Sequence, residues 1–312
     1  MNRGSAVPEF LSFGDLGVDA VAMVEHLPQP DEKVWVEEFR DFSGGMMGNA
    51  AAFAAMLGAS AGVVALLGHD ARGDLVLEDL TSKGVDTRFV RRIDAPTFWA
   101  LSLTAPSGER ALLQFPTPAF SADWVGFDRS LLSSVRWIHT SADQGEEVGP
   151  LLADGRRAGA TTSLDIEHPY VLREDLADLL NETDVAFVNR RAAEALGGIE
   201  EGARIIGAQG CSTVLVTLGE EGCLLVTGTS DPVRVPAHPA DPVDTNGAGD
   251  AFAGAFAVAR LRGLGMIHAA EFANMIAAMS TTAMGGHGLD IDRASLAEAA
   301  RSAGYGWWER TP

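Results

Sequence analysis

The chain has 312 residues, and 23 basic against 43 acidic side chains give it a net charge of −20. So acidic a surface repels nucleic acid and anionic membrane, which excludes both as expected partners, although the local field of a cleft can still admit an anionic substrate. A hydrophobic fraction of 46% fits a globular protein with a large core, and α/β folds reach this length as one unit.

In chain order, Met1 to Leu11 lacks a basic segment followed by an apolar one, so no signal peptide is expected. Ala20–Phe42 reads as extended segments with turns and no helix. Residues 46–68 carry no charge and are long enough to span a bilayer. Alanine and glycine dominate the stretch, however, and Gly58-Ala59-Ser60 breaks it. It predicts a buried helix from about Asn49 to Leu57 and a buried strand Val63–Leu67. Ile93–Phe115 is a second extended excursion, with Thr97–Thr104 and Ala111–Phe115 flanking a hairpin turn. Further strands are expected at Trp137–His139, Ser163–Ile166, Val185–Val188, Val214–Thr217 and Leu224–Val226. Helical stretches at Gly149–Arg157, Arg191–Leu196 and Glu201–Ala208 alternate with them. The alternation predicts a three-layer α/β/α core on a mostly parallel sheet. The two excursions, about 20–42 and 93–115, would pair as a small β-sheet lid whose exposed surface invites a homodimer. No repeat or long linker interrupts this plan, so residues 1–312 read as one α/β domain carrying that lid. Cys211 and Cys223 flank one strand; two cysteines in so long a chain favour reduced thiols and a cytoplasmic protein.

The chemistry concentrates at Asp244-Thr245-Asn246-Gly247-Ala248-Gly249-Asp250, immediately before an apolar helix. Small residues let backbone amides approach a ligand, and a helix start adds unpaired N–H groups and a positive dipole end, which suits a phosphate. Asp250 beside such an anion site supplies a base for an attacking hydroxyl; read by itself, it also suits a plain helix cap after a glycine turn.

This turn resembles the C-terminal signature of the ribokinase-like (PfkB) carbohydrate kinases. The N-terminal signature is present too, in Gly44-Gly45-Met46-Met47-Gly48-Asn49, then Leu57-Gly58-Ala59 and Gly68-His69-Asp70-Ala71-Arg72-Gly73. The resemblance runs from Gly14 to about Gly288 and implies ATP-dependent phosphorylation of a sugar hydroxyl with Mg²⁺. It makes Asp250 the general base, with the amides of Gly247, Ala248 and Gly249 as the anion hole. It places the sugar on Asp19, Gly44, Gly45 and Asn49, and the nucleotide on Asn189, Thr217, Gly219, Gly222 and Asn274. Asp244 and the loop Ala283–Gly288 occupy positions that hold a monovalent cation, such as K⁺, in many members. Asp19 and Asn49 also admit plainer readings, as a turn former and a satisfied buried amide.

Departures from the pattern qualify this. The family's Asn-x-x-Glu reads Asn189-Arg190-Arg191-Ala192, without its glutamate, and Glu194 lies the wrong way round a helix to replace it. Gly17 and Met46 stand where ribokinases proper carry asparagine and lysine, so a standard ribokinase pocket is not expected. A pentose or hexose is the first substrate class, a nucleoside the second. A sugar phosphate would need convergent cations, with Arg40, Arg72 and Arg110 available. A ligand-binding sensor without turnover is the reading from a different class. The chain's two lysines, Lys33 and Lys83, complete no P-loop, no Gly-x-Gly-x-x-Gly dinucleotide motif is present, and the seven histidines show no zinc spacing.

Overall fold

The computed structural model describes residues 6–107, 109–120, 126–287, 293–302 and 304. The strands are β1 Phe10–Phe13, β2 Gly17–Val24, β3 Val36–Gly44, β4 Ala61–Gly68, β5 Val90–Ile93, β6 Phe98–Thr104, β7 Arg110–Phe115, β8 Trp137–Ser141, β9 Thr161–Ile166, β10 Val185–Asn189, β11 Thr213–Thr217, β12 Cys223–Thr227 and β13 Val233–Val235. The helices are α1 Met46–Met56, α2 Ala71–Ser82, α3 Val148–Arg157, α4 Leu176–Asn181, α5 Arg190–Ala195, α6 Ile199–Ala208, α7 Ala248–Leu261, α8 Met266–Ser280 and α9 Arg293–Ser302.

A nine-stranded sheet in the order β13-β12-β11-β10-β9-β8-β1-β4-β5 forms the body, parallel except for β12 and β13. Its inner strands are buried on both faces and largely apolar, as in a parallel sheet covered by helices, with polar residues such as Ser12, His139 and Ser163 buried among them. Phe10, Val63, Trp137, Phe187 and Leu215 pack on one side against α1, α2, α7 and α8. Leu11, Val64, Ile138, Leu164 and Val188 pack on the other against α3 to α6. The six expected strands are all present. The fold also contains β1, which is too short to announce itself, and α2, whose many charges mask a stripe made by Val76 and Leu80.

The uncharged stretch 46–68 is α1 followed by β4, buried along most of its length. Among the described residues no helix is long and apolar enough to cross a membrane. Cys211 and Cys223 are free and buried, at opposite ends of the β11–β12 pair, and burial pushes their thiols up to about 11 and about 12.

The two excursions do meet. β3-β2 and β6-β7 are antiparallel pairs joined by parallel pairing of β2 with β6 into a four-stranded lid. Its bounds differ from the expected ones. The lid begins at Gly17 and its third strand at Phe98, whereas Ile93 ends β5 of the main sheet. Asp19 and Gly44 therefore lie within lid strands, one above the cleft and the other at its hinge with α1.

Candidate active site

Ligands of open α/β sheets bind outside the carboxyl ends of the strands, and the chain gathers its polar side chains there. Asp15 follows β1, Asp143 follows β8, Glu167 follows β9, Asn189 ends β10 and Thr217 ends β11. Two cavities open over these ends. The first, about 430 Å³, lies under the lid and is lined by Asp19, Gly45, Asn49, Arg110, Asp165, Glu167, Asn189 and Asp250, among others. The second, about 690 Å³, is lined by Gly219, Gly222, Ala248 and Asn274, with His238, Pro239 and Phe252. Thr217, Thr245 and Gly249 border both, so the cavities meet at the start of α7.

Small residues build that junction. Gly247 caps α7 with a left-handed φ of +71°, and a Cβ there would lie 2.1 Å from the carbonyl of Gly286. The first amides of α7 have no acceptor within the helix; Ala248 N reaches Thr245 O only at 3.4 Å. Both oxygens of Asp244 clamp the turn, one accepting from Asn246 N and the other from Gly285 N, each at 3.0 Å. Gly254 lets α7 close onto α1, since a Cβ there would lie 2.6 Å from Ala50 O. The close helix contact brings Asn49 Nδ2 to 2.7 Å from Asp250 Oδ2.

Asp250 is 8% exposed. Burial pushes its carboxyl well above the usual range, the hydrogen bond from Asn49 opposes this, and the neighbouring Asp165, Asp15 and Glu167 push it further up. Asp165 is raised well above by burial and by Glu167, Asp143 and Asp15. Asp15 is raised to about 7 by burial and Asp143, although the amides of Met46 and Met47 at the start of α1 draw it down. Burial raises Asp19 as well, against the pull of His287. The first cavity is thus a crowded acidic pocket.

The remaining expected site residues divide by place. Asp19, Gly45 and Asn49 line the first cavity together, while Gly44 lies behind Asp19, where a Cβ would meet its Oδ2 at 2.3 Å. Thr217, Gly219, Gly222 and Asn274 line the second cavity. Asn274 Nδ2 also ties α8 to the end of β13, donating to Val235 O at 3.1 Å and Pro236 O at 3.0 Å. Asn189 faces the first cavity rather than the second; its Oδ1 caps α5 at Ala192 N and its Nδ2 lies 3.4 Å from Glu167 Oε1. Ala192 is fully buried, and Glu194 points to solvent. Gly288, the end of the proposed cation loop, lies outside the described residues.

Sequence reasoning missed Asp165 and Glu167, although a carboxylate at each end of Asp165-Ile166-Glu167, closing a parallel strand, was a readable signal. It also missed His287 and Asp79. His287 sits beside Asn49, and nothing in the local sequence announces that contact. The three arginines do not converge. Arg110 lines the cavity, Arg72 lies 3.8 Å over Trp99 on the opposite face of the lid, and Arg40 pairs with Glu38 on the far edge strand.

Comparison with known proteins gives the family. Residues 8–291 match the model of the pfkB family carbohydrate kinases. The ATP-dependent ribose-1-phosphate kinase of Halopiger xanaduensis is 30% identical over 272 residues, covering 86% of this chain and 90% of that protein. The ribokinase of Mus musculus is 27% identical, covering 87% and 88%. The structure of Arabidopsis thaliana ribokinase complexed with ribose and ATP superimposes with a TM-score of 0.82 at 24% identity, covering 95% of this chain and 99% of the other. The chain belongs to the pfkB family of carbohydrate kinases, and is a phosphotransferase with an alcohol group as acceptor.

Proposed function

We propose that the protein transfers the γ-phosphoryl group of ATP to a hydroxyl of a small sugar, with Asp250 as general base. One observation carries the reading: two cavities of different character meet at Gly249, and Asp250 lines the first of them. The sugar occupies the first cavity, where Asp19 and Gln114 offer hydrogen-bond partners to its hydroxyls. ATP occupies the second, with its phosphates toward the first amides of α7. Because the transition state is loose, the base chiefly orients the nucleophile and takes its proton late, while the amides and helix dipole stabilise the migrating charge.

Mg²⁺, bound through phosphate oxygens and water, would neutralise the β- and γ-phosphates. The donor set fits such a hydrated ion: Glu167 lines the first cavity beside Asn189, whose Nδ2 lies 3.4 Å from its Oε1, and presents a carboxylate that water could bridge to the metal. A monovalent cation behind the turn would rest on Asp244 and the carbonyls of the 283–287 loop, and activation by K⁺ over Na⁺ tests it.

The acceptor follows from the cations. Among the described residues Arg110 is the one guanidinium lining the first cavity. Its Nη1 is held by Asn246 Oδ1. The dispersal of Arg40 and Arg72 favours an unphosphorylated sugar, while Arg110 and the similarity to the ribose-1-phosphate kinase of Halopiger xanaduensis support ribose 1-phosphate as the second reading. We take the lid as an accessory to one α/β unit. Its face opposite Asp19 exposes Phe39, Leu113 and Phe115, which a second copy would cover in a homodimer; the mass in solution checks this.

The test is ADP release from ATP over pentoses, hexoses, nucleosides and ribose 1-phosphate. Asp250→Asn should lower kcat by about 10³-fold, within the range of general-base catalysis. Turnover unaffected by that substitution on every acceptor would sink the assignment.

A further inference from the structure

One motif of the sequence lines neither cavity: Gly68-His69-Asp70-Ala71-Arg72-Gly73, which carries β4 into α2. It reaches instead to the root of the lid. Asp70 caps α2 in the ordinary way, its Oδ1 accepting from Gly73 N at 2.8 Å. The same carboxylate holds Thr97, the residue before β6: Oδ1 accepts from Thr97 Oγ1 at 2.6 Å and Oδ2 from Thr97 N at 2.8 Å. Thr97 Oγ1 in turn accepts from Gly68 N at 3.0 Å, which closes the knot. Thr97 is 1% exposed, so water does not compete for these bonds.

The residue types of the motif follow from this contact. A Cβ on Gly68 would lie 2.2 Å from Ala95 O, and one on Gly73 would lie 2.9 Å from Thr97 Oγ1, so larger residues would push the 95–97 segment away. Arg72 adds a second tie, 3.8 Å over the ring of Trp99, which itself stacks on Phe115 of β7. Arg92 of β5 steadies the motif by donating to Gly68 O at 2.7 Å and to Asp74 Oδ1 at 2.8 Å. Burial pushes the Asp70 carboxyl up, but the hydrogen bonds from Thr97 and Gly73 and the charge of Arg92 outweigh it and hold the group below the usual carboxylate range. Its two bonds to Thr97 are therefore charge-assisted, and being two they fix direction as well as distance.

We propose that Asp70 and Thr97 are positioning residues that pin the root of β6 to the start of α2 and thereby set where the lid stands over the sugar. Their role rests on the sugar occupying the first cavity. β2 begins and β3 ends in paired glycines, Gly17 and Gly44, which have no side chains to fasten. Gly17 pairs on its other side with Phe98, directly after the pinned Thr97, so the fixed corner places its neighbours. From there β6 runs to Ala100, which lies opposite Asp19 on one side and Gln114 on the other. Phe98, Ala100, Asp19 and Gln114 all line the first cavity. Asp70 and Thr97 line neither cavity, and they act through these four residues rather than on the sugar itself.

The experiment sets hydrogen exchange of the full ligand-free chain beside turnover of D-ribose and ATP in three variants. Asp70→Asn keeps the oxygen that caps α2 but turns an amide nitrogen toward Thr97 N, donor against donor. Thr97→Val removes the hydroxyl, and Thr97→Ser retains it. In Asp70→Asn and Thr97→Val the amides of β2 and β6 should exchange about 10-fold faster or more, while those of α2 stay within about twofold. The KM for D-ribose should rise about 10-fold in both, with the KM for ATP within about twofold. Thr97→Ser should behave as the unmodified protein. Unchanged exchange in the lid overturns the anchor. So does equal acceleration in α2, which would leave Asp70 as a helix cap only, and so does a loosened lid with an unchanged KM for D-ribose. Should Asp70→Asn fail to fold, the two Thr97 variants decide. Absence of D-ribose turnover in the unmodified protein overturns the acceptor reading rather than the anchor, on which the exchange data then decide alone.

Discussion

The first cavity is walled by charged and polar side chains, whereas the second is walled largely by glycine, alanine and proline, although both open on one turn. Asp15, Asp19, Asp143, Asp165, Glu167 and Asp250 all face the first, against Arg110 and His168. The second sets Glu220 and His238 among small residues and backbone. On the proposed placement of sugar and ATP, the difference follows from the ligands. A sugar presents hydroxyls whose arrangement must be read one by one, so directional side chains are needed. Triphosphate oxygens are alike and strongly charged, so backbone amides and a helix dipole suffice. Substitutions should therefore separate cleanly, with side-chain changes in the first cavity acting on the sugar and backbone changes at the shared turn acting on both substrates.

The largest effect should come at that turn. Gly247→Ala puts a Cβ at a φ of +71° and 2.1 Å from Gly286 O. The turn must shift, and the amides it aims move with it. We expect kcat to fall about 100-fold or more, the cost of losing one aimed donor, with the KM values for sugar and ATP both raised. Because the displaced Gly286 abuts Asn49, the melting temperature should also fall. A variant that loses affinity for the sugar alone would break the claim that both cavities share the turn.

Next is Asp19, which should act on one side only. Asp19→Asn keeps the shape but removes the charge that strengthens a hydroxyl hydrogen bond, a loss of about 1.5–3 kcal/mol. The KM for the sugar should rise about 10- to 100-fold, with the KM for ATP unchanged. An equal rise in both would mean that lid closure, rather than direct contact with the sugar, is what Asp19 controls.

The same contrast explains what the sequence made legible. Gly247 to Asp250 and Gly44 to Asn49 are readable because close backbone approach demands small residues in a fixed order, and a dense order is easy to recognise. Strands such as Val185–Asn189 are readable because burial on both faces leaves an unbroken apolar run. The acidic wall is harder, since Asp143, Asp165 and Glu167 come from different strand ends that only the parallel sheet assembles. His287 was not legible at all: it meets Asn49 across 238 positions of sequence and Asp79 across 208, through a loop with no periodicity. Asn189 shows the converse limit, since its position was recognised but its surroundings were not.

The smallest expected effect concerns stability and distinguishes the cavities by pH. Asp15 is raised to about 7 in the folded protein, by burial and by Asp143, from an ordinary carboxylate value of 3.8. Below 3.8 both folded and unfolded chains hold the proton, and the contribution of Asp15 to stability is fully present. As pH rises toward 7, the unfolded chain releases the proton while the folded one keeps it, so the contribution declines and is lost once pH passes the folded value. Asp15→Asn mimics the protonated form at every pH. It should leave the melting temperature of the ligand-free protein nearly unchanged at pH 4 and raise it by about 2–4 °C at pH 8. The gain should shrink in an Asp143→Asn background, because the two carboxylates repel one another. A difference that stays flat across pH would mean that the amides at the start of α1 fully compensate Asp15. The acidic wall of the first cavity would then carry no stability cost relative to an uncharged one.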